Sequence, residues 1–509
     1  MAIQDNSTQK ININPLEQPE EFKIAIRNYL TPNGSSAHRA HLFTINGLTY
    51  PIHLFYGFAA VPDPHEIKPK GNKLILSTQR SKRRYSMLSY LHSIRKGDLL
   101  FFFQADPQWP NDFQNRRGFR GIWVVESSPF RDFSKVKLPS GYEILGECPY
   151  CKLPFDFGMG GMREDKKCPI CGNSYGMVSV IGNAGRPEEF SKVVLSARLL
   201  ISPLVIFERT SGDNRVYGDM TTRPLIWISR SDNAMGAGKG SSIRTLLPEE
   251  ASKIAFMLST EDQQRVIDPP INKYPGESRE PIKDHNDVEC KYPRIFKKGN
   301  TFYLEHEFHL NLYFSRNIDD QTNCIHSLLN IPLNKVDYWT TELPWGYTGD
   351  TADFVLSCWN NGCGRYKIYL FEFKRDLVDK KSLAEVLLYI PWVVQTMTAF
   401  SDETVDVEVI PVLVGKYFKL SWLPSDYKFD LKLFTTSPKK VTVRTPIALR
   451  YEVVDPFKVV DRYSGRPQFY ATDLEFTQLL LPTKSISPPP KTYTTTEVEK
   501  NNVVKNFLK

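Results

Sequence analysis

The sequence predicts a multidomain α/β protein. Three observations carry that reading. The chain has 509 residues, which at roughly 150 residues per domain suggests two to four domains. Apolar strand patterns alternate with amphipathic helix patterns, most clearly where the strand Lys367–Lys374 is followed by helical spacing over Leu383–Ile390. Two Cys-x2-Cys pairs stand together in the N-terminal half. Hydrophobic residues make up 41% and charged residues 24%, which fits a globular chain and excludes a disordered one. The net charge of +8 leans mildly toward an anionic partner. No apolar run approaches the ~20 residues that cross a bilayer. The start, Met1-Ala2-Ile3-Gln4, lacks the basic and apolar regions of a signal peptide. An intracellular, cytoplasmic protein with no membrane partner is expected.

Residues 1–40 are mostly polar and read as a lead-in. Residues 41–260 form the first large unit. A strand is expected around His53–Phe58, a helix over 84–95, and a turn at Lys96-Gly97-Asp98. A strong strand Leu99–Phe103 and a strand Gly121–Glu126 follow. Leu225–Ile228 reads as another strand. Gly240–Leu247 then leads into a helix opening on Pro248-Glu249-Glu250, a proline and two acids that suit a first turn. The stretch Asn233–Ser241 lacks the first glycine and the Ser/Thr of a phosphate-binding loop, so nucleotide hydrolysis is excluded.

The order of strand, helix, Gly-Asp turn, strong strand and Gly-Ile-Trp-Val strand, with the ending Ser242-Ile-Arg-Thr-Leu-Leu-Pro-Glu-Glu250, resembles the PUA-like superfamily. It is similar especially to EVE and YTH domains, over about half of residues 52–260. The resemblance implies a β-barrel-like module that holds a modified or flipped base in an aromatic pocket. Flipping costs a few kcal/mol, which stacking and edge hydrogen bonds offset. Candidate pocket residues are Tyr56, Phe58, Trp109, Trp123 and Trp227, with Ser77 and Thr78 as hydrogen-bond partners. Core packing is the competing role for each ring, most of all for Trp123 inside a strand. Arg80, Lys82, Arg83, Arg84, Arg95, Lys96, Arg116, Arg117 and Arg120 fit phosphate-backbone contact, with a solvated face as the alternative.

Cys148-x2-Cys151 and Cys168-x2-Cys171 are separated by 16 residues. Each pair makes a knuckle that aims two thiolates at one point. Two knuckles make a tetrahedral four-sulfur site, which suits a structural Zn²⁺ because no position is left for water. A redox Cys-x2-Cys would not account for two copies at this spacing. The ribbon, residues 143–176, is then an insertion in the barrel-like unit. Cys290, Cys324, Cys358 and Cys363 read as free thiols.

Residues 261–300 hold Pro269, Pro270, Pro275, Pro281 and Pro293 and read as a linker. Residues 301–425 form a second core unit. Leu304–Asn317 reads as a helix. Asp353–Leu356 opens a strand, and Asn360-Asn361-Gly362-Cys363-Gly364 is a turn whose Asn and Gly tolerate positive φ. On the returning strand, period two puts Glu372 and Lys374 on one face and Phe371 and Phe373 on the other. Ionised groups at the end of an apolar strand are costly unless paired or metal-bound. Two acids and a lysine gathered there suit a divalent cation and a phosphodiester. In the next helix Leu383, Val386, Leu387 and Ile390 form an apolar face, while Glu385 and Tyr389 share a side. Pro391 is expected to kink or end it. Val407–Gly415 is a further strand in which Pro411 implies a bulge or an edge position. Residues 426–484 continue this unit as strands, and 485–509, with Pro488-Pro489-Pro490, read as a mobile tail.

Asp353, the hairpin, Glu372-x-Lys374 and the following helix together resemble the PD-(D/E)xK nuclease superfamily. The spacing of Glu307, Leu310, Phe314 and Asn317 is similar to nucleases of the NucS type. The resemblance implies a restriction-endonuclease-like α/β/α core. It implies that Asp353 and Glu372 hold Mg²⁺ or Mn²⁺, that Lys374 positions or activates the attacking water, and that Glu307 or its rival Glu305 assists. His306 and His309 read as surface residues. Family members carry Gln-x-x-x-Tyr where this chain has Glu385 and Tyr389, so the nucleic-acid contact made there is not carried over. The function expected is a metal-dependent endonuclease cleaving DNA, aimed by the N-terminal base-reading module, in modification-dependent restriction or defence. The alternatives are a structure-specific DNA repair nuclease and a non-catalytic nucleic-acid-binding zinc protein. The expected partner is DNA, which implies a nucleoid location; a homodimer is left open.

Overall fold

The computed structural model describes residues 11, 13–30, 38–46, 53, 57–61, 67–70, 73–76, 87–106, 118–131, 145–147, 154–156, 197–212, 243–267, 292–320, 322–331, 336–345, 350–359, 365–398, 406–432, 439–460, 467–486 and 492–493. Among these residues the fold is mixed α/β, with more strand than helix. The N-terminal unit opens with helix α1 (Pro19–Leu30). Its strands are β1 (Ala40–Asn46), β2 (Phe58–Val61), β3 (Ile67–Lys70), β4 (Lys73–Leu76), β5 (Leu99–Asp106), β6 (Gly118–Val125), β7 (Phe130–Arg131), β8 (Leu145–Glu147), β9 (Pro154–Asp156), β10 (Ala197–Gly212) and β11 (Ile243–Leu246), followed by helix α2 (Pro248–Ser259). Seven strands form one sheet in the order β11-β1-β5-β6-β10-β2, with β7 also on β10. Register slips along β10, at Pro203/Val205 and again at Ile206/Ser211, bend and twist the sheet into half a barrel.

The polar lead-in contributes to this core. Phe22, Ile26 and Leu30 recur at helical spacing on α1 and are buried against Ala251, Ile254 and Leu258 of α2. The polar residues between them face solvent, which is why composition alone suggests a lead-in. The Gly-Asp turn also has a physical role. Gly97 has φ +90°, and a Cβ there would meet the His38 ring at 2.6 Å. Asp98 is buried and accepts from the backbone N–H groups of Arg39 at 2.9 Å and Arg95 at 2.8 Å. Oδ1 takes the Arg39 N–H, while Oδ2 takes the Arg95 N–H and also meets His41 Nε2 at 2.9 Å. Burial pushes the Asp98 carboxyl up, but Arg39 and His41 outweigh that and hold it below its ordinary range.

The C-terminal unit contains β12 (Arg294–Lys298), β13 (Thr301–Leu304), α3 (Phe308–Asn317), α4 (Cys324–Leu329), β14 (Val336–Trp345), β15 (Asp350–Trp359), β16 (Arg365–Phe373), β17 (Leu377–Val378) and α5 (Lys380–Met397). It continues with β18 (Asp406–Gly415), β19 (Tyr417–Phe418), β20 (Leu423–Pro424), β21 (Tyr427–Leu431), β22 (Lys439–Val443), β23 (Ile447–Val460), β24 (Pro467–Leu479), β25 (Thr483–Lys484) and β26 (Thr492–Tyr493). The main sheet runs β13-β12-β24-β23-β18-β16-β15-β14. β14, β15 and β16 form an antiparallel meander, and β18 lies parallel to β16. Period-two alternation divides the strands between two cores. Val355, Ile368, Leu370 and Leu413 face α5, whereas Phe354, Leu356, Phe371, Phe373 and Val412 face α3 and α4. A sheet covered by helices on both faces follows.

Several local expectations change. Leu304 ends a strand rather than starting a helix, because Thr301–Leu304 pairs with β12. Glu305, His306 and Glu307 therefore stand in the connection before α3. His309 is fully buried, not at the surface. α5 runs through Pro391 to Met397. Buried Leu383, Val386, Val393, Val394 and Met397 on both sides of the proline supply packing that outweighs its cost of about 3 kcal/mol. Pro411 lies in a central strand and in unbroken register with Leu370. On its other side β18 pairs with β22 through Val409 and with β23 from Val412, so the missing N–H falls where the partner changes. The expected linker gives β12 to the sheet, and within the expected tail β26 pairs with β21.

The two units meet closely. Phe308 and Leu312 of α3 pack with Leu88, Leu91 and Ile94 of the N-terminal unit. Arg39 stacks on Trp339 at 3.7 Å. Arg95 donates to Asp319 and to the Ser315 carbonyl, each at 2.6 Å. Arg95 is therefore a junction residue and not a phosphate contact. Among the described residues, no helix is long and apolar enough to cross a membrane.

Candidate active site

The antiparallel register places the acids. β15 and β16 pair Phe354 with Phe371, so one step on, Asp353 stands opposite Glu372. β14 and β15 pair Thr341 with Phe354 and Leu343 with Ala352, so Glu342 stands opposite Asp353 on the other side. Three acids thus line up across three neighbouring strands. Like charges in direct cross-strand positions are destabilising, so a structural role does not account for the row. Glu342 also has φ +49°, a left-handed backbone that is costly for a residue with a side chain.

Hydrogen bonds and charge fix the rest. Asp353 Oδ2 accepts from the Phe373 N–H at 2.7 Å. Lys374 Nζ lies 2.5 Å from Glu372 Oε1 and 3.0 Å from Glu385 Oε2. Its own backbone N–H bonds the Val414 carbonyl at 2.8 Å, which anchors the end of β16 to β18. Glu307 precedes α3 and is close enough to act on both Asp353 and Lys374. Burial and the Glu307 charge push the Asp353 carboxyl well above its ordinary range. Burial and Asp353 do the same to Glu372. Burial pulls Lys374 down, but Glu372, Glu307 and Asp353 prevail and hold the ammonium protonated. Among the described residues, no three acid, histidine or cysteine side chains converge closely enough to hold a metal ion as they stand.

The structure brings Asp353, Glu372, Lys374 and Glu307 near one another, and adds Glu385 and Glu342. Glu385 reaches the site because Asp379 caps α5, accepting from the N–H groups of Lys381 and Ser382, so that helix starts beside β16. Its place four residues before Tyr389 is the sequence signal for it. Only the strand register reveals Glu342. Glu305 turns away: its carboxylate pairs with Arg294 at 2.7 Å. Phe58 is fully buried, with the Arg198 guanidinium 4.8 Å from its ring, and is a core residue rather than a pocket wall. Trp123 is likewise core. Arg120 is half-buried on β6. Tyr56, Trp109, Trp227, Ser77 and Thr78 lie outside the described residues, as do Arg80, Lys82, Arg83, Arg84, Arg116 and Arg117. Cys148, Cys151, Cys168 and Cys171 also lie outside them. The strands flanking the first cysteine pair do pair antiparallel, Glu147 with Pro154.

No protein-family model matches this chain, and no curated protein matches it.

Proposed function

We propose that the chain is a metal-dependent endonuclease of the PD-(D/E)xK kind that acts on DNA, with a PUA-like N-terminal unit that reads a base. The observation that carries this reading is Asp353 opposite Glu372, with Lys374 on the same face and Glu307 beside them. The order α3-α4-β14-β15-β16-β17-α5-β18, with helices on both faces of the sheet, supports a restriction-endonuclease-like core. Asp353, Glu372 and Glu307 offer hard carboxylate oxygens, the donors that Mg²⁺ and Mn²⁺ prefer. Two buried carboxyls that resist ionisation together are also what a divalent cation would relieve. When bound, the cation supplies Lewis-acid neutralisation at the scissile phosphate. The Phe373 N–H orients Asp353. Lys374 stays protonated, so it orients a water and offsets charge on the phosphate rather than removing a proton. Glu385 holds that ammonium in place.

The test is cleavage of modified and unmodified duplexes with and without Mg²⁺. Metal-dependent cleavage is expected to fall about 10²–10³-fold in Lys374→Ala, to weaken in Glu307→Gln, and to survive in Glu305→Gln. Undiminished cleavage in Lys374→Ala overturns the site. Equal cleavage of modified and unmodified DNA overturns the base-reading role. We further propose one structural zinc held by Cys148, Cys151, Cys168 and Cys171. Elemental analysis should find one zinc per chain, lost in Cys168→Ser; a zinc-free wild-type protein overturns it.

A further inference from the structure

Directly beyond Lys374 the surface carries a row of aromatic rings that the acid site does not use. Phe296 of β12 and Tyr303 of β13 are cross-strand partners, with ring centroids 5.5 Å apart and planes at 22°. Tyr417 of β19 continues the row, its centroid 6.2 Å from that of Tyr303 and the two hydroxyls 3.1 Å apart. Tyr417 is 45% exposed, and Phe296 and Tyr303 are half-buried. The sequence places cations around the row. Arg375 follows Lys374 directly, and its guanidinium is 5.6 Å from the Phe296 centroid. An Nη1 bond to the Glu305 carbonyl, 3.2 Å, holds that guanidinium in position. Lys416 precedes Tyr417, and exposed Lys298 shares the Phe296 face of β12, whereas Lys297 lies over Phe302 on the other face. Asp376 is the opposing acid, and Arg375 pairs with it at 2.5 Å. The backbone of residues 374–376 thus joins the two features: Lys374 looks into the acid site, while Arg375 looks onto the rings. Asp376 tethers the third ring, since its carbonyl accepts from the Tyr417 N–H at 2.8 Å.

One exposed ring and two half-buried ones, set among cations, match a polyanion that presents bare π-faces. A duplex keeps its base faces stacked inside and offers phosphates and groove edges. An unpaired strand offers both phosphates and faces, and base–aromatic stacking tolerates any sequence. We infer that Phe296, Tyr303 and Tyr417, with Arg375 and Lys416, bind the unpaired bases of a single-stranded segment next to the scissile phosphate. This rests on the nuclease reading above and narrows its substrate to DNA with a single-stranded portion at the cut.

Binding is read in the full chain carrying Asp353→Asn, so that cleavage does not intervene. The probe is a duplex with a single-stranded extension bearing 2-aminopurine at its first unpaired positions. Binding should quench the fluorophore and favour the extended duplex over a blunt one. Tyr303→Leu with Tyr417→Leu keeps apolar volume but removes two rings. It should weaken binding of the extended duplex about tenfold per base lost from the stack and leave blunt-duplex affinity unchanged. Tyr417→Phe, which keeps the ring, should retain the quench, and Lys416→Glu should weaken extended-duplex binding. Equal affinity for extended and blunt duplexes in the parent, or no change in the double variant, overturns the stacking row even in an enzyme that cleaves. A preference lost with the two rings, in a protein that never cleaves, upholds the stacking row and overturns the nuclease reading.

Discussion

Asp353→Asn is expected to lower metal-dependent cleavage on the order of 10³-fold while making the metal-free protein more stable at neutral pH. The two effects share one cause. Asp353 stands between Glu342 and Glu372 in neighbouring strands, with Glu307 close by, and burial and that charge push its carboxyl well above the ordinary range. A carboxyl whose folded pKa exceeds its unfolded value holds its proton more tightly in the fold. Its favourable contribution is therefore present at low pH. It is lost as pH rises from the unfolded value, about 3.9 for Asp and about 4.3 for Glu, through the raised folded one. Asn has the same shape, and its carbonyl oxygen still accepts the Phe373 N–H, so the substitution removes charge without orphaning a donor. Thermal unfolding in chelator at several pH values checks this. Wild type should lose stability as pH rises above about 4, and the loss should shrink in Asp353→Asn. Added Mn²⁺ should stabilise wild type and leave the variant unmoved, since a ligand that binds only the folded state stabilises it by mass action. A variant less stable than wild type in chelator at pH 7 would mean that the acid row is not strained as described.

The strand that carries Glu372 and Lys374 was legible because period two is strict: two apolar rings on one face force two charges onto the other. Asp353 was legible through the turn between the strands. Glu342 was not, because its meaning depends on a cross-strand register, which one strand's own residues do not reveal. The choice between Glu305 and Glu307 turned on where a helix begins. Thr301–Leu304 was free to read as helix until its pairing with β12 was known. Pro391 and Pro411 misled for a related reason. Local rules price a proline by the hydrogen bond it lacks, whereas the packing around α5 and the change of partner along β18 lie far away in sequence. In the N-terminal unit the Gly-Asp turn was visible as a motif. Its work, a buried carboxylate tying Arg39, His41 and Arg95 together, needed the fold. The polar stretch before residue 40 shows the limit of composition, since three well-spaced apolar residues suffice to dock a helix.

Trp339→Ala is expected to cost about 3–5 kcal/mol and to loosen the junction between the units. The indole is 2% exposed. On one side it stacks with Phe354 at 5.5 Å and 21°, and on the other it carries the Arg39 guanidinium at 3.7 Å, with Arg95 at 5.5 Å. Arg39 is itself buried, and its charge is offset by Asp98 3.5 Å away. Truncation would therefore open a cavity and strip a buried cation of its aromatic face in one step. Urea unfolding should show the loss, and Trp339→Phe, which keeps a ring, should show a smaller one. A loss below about 1 kcal/mol in Trp339→Ala would overturn the assignment of this ring as the centre of the junction. The consequence for chemistry follows from α3. Glu307 stands at its N-terminal end, while Arg95 grips the Ser315 carbonyl within it and Asp319 just beyond it. Tyr90, a buried residue of the N-terminal core, donates to the Glu342 carbonyl at 3.3 Å. Loosening the junction should thus lower cleavage beyond the fraction unfolded, while binding by the isolated acid-site variant Asp353→Asn stays as it was. Contacts of the N-terminal unit thus end on the helix and the strand that position two acids of the site, Glu307 and Glu342.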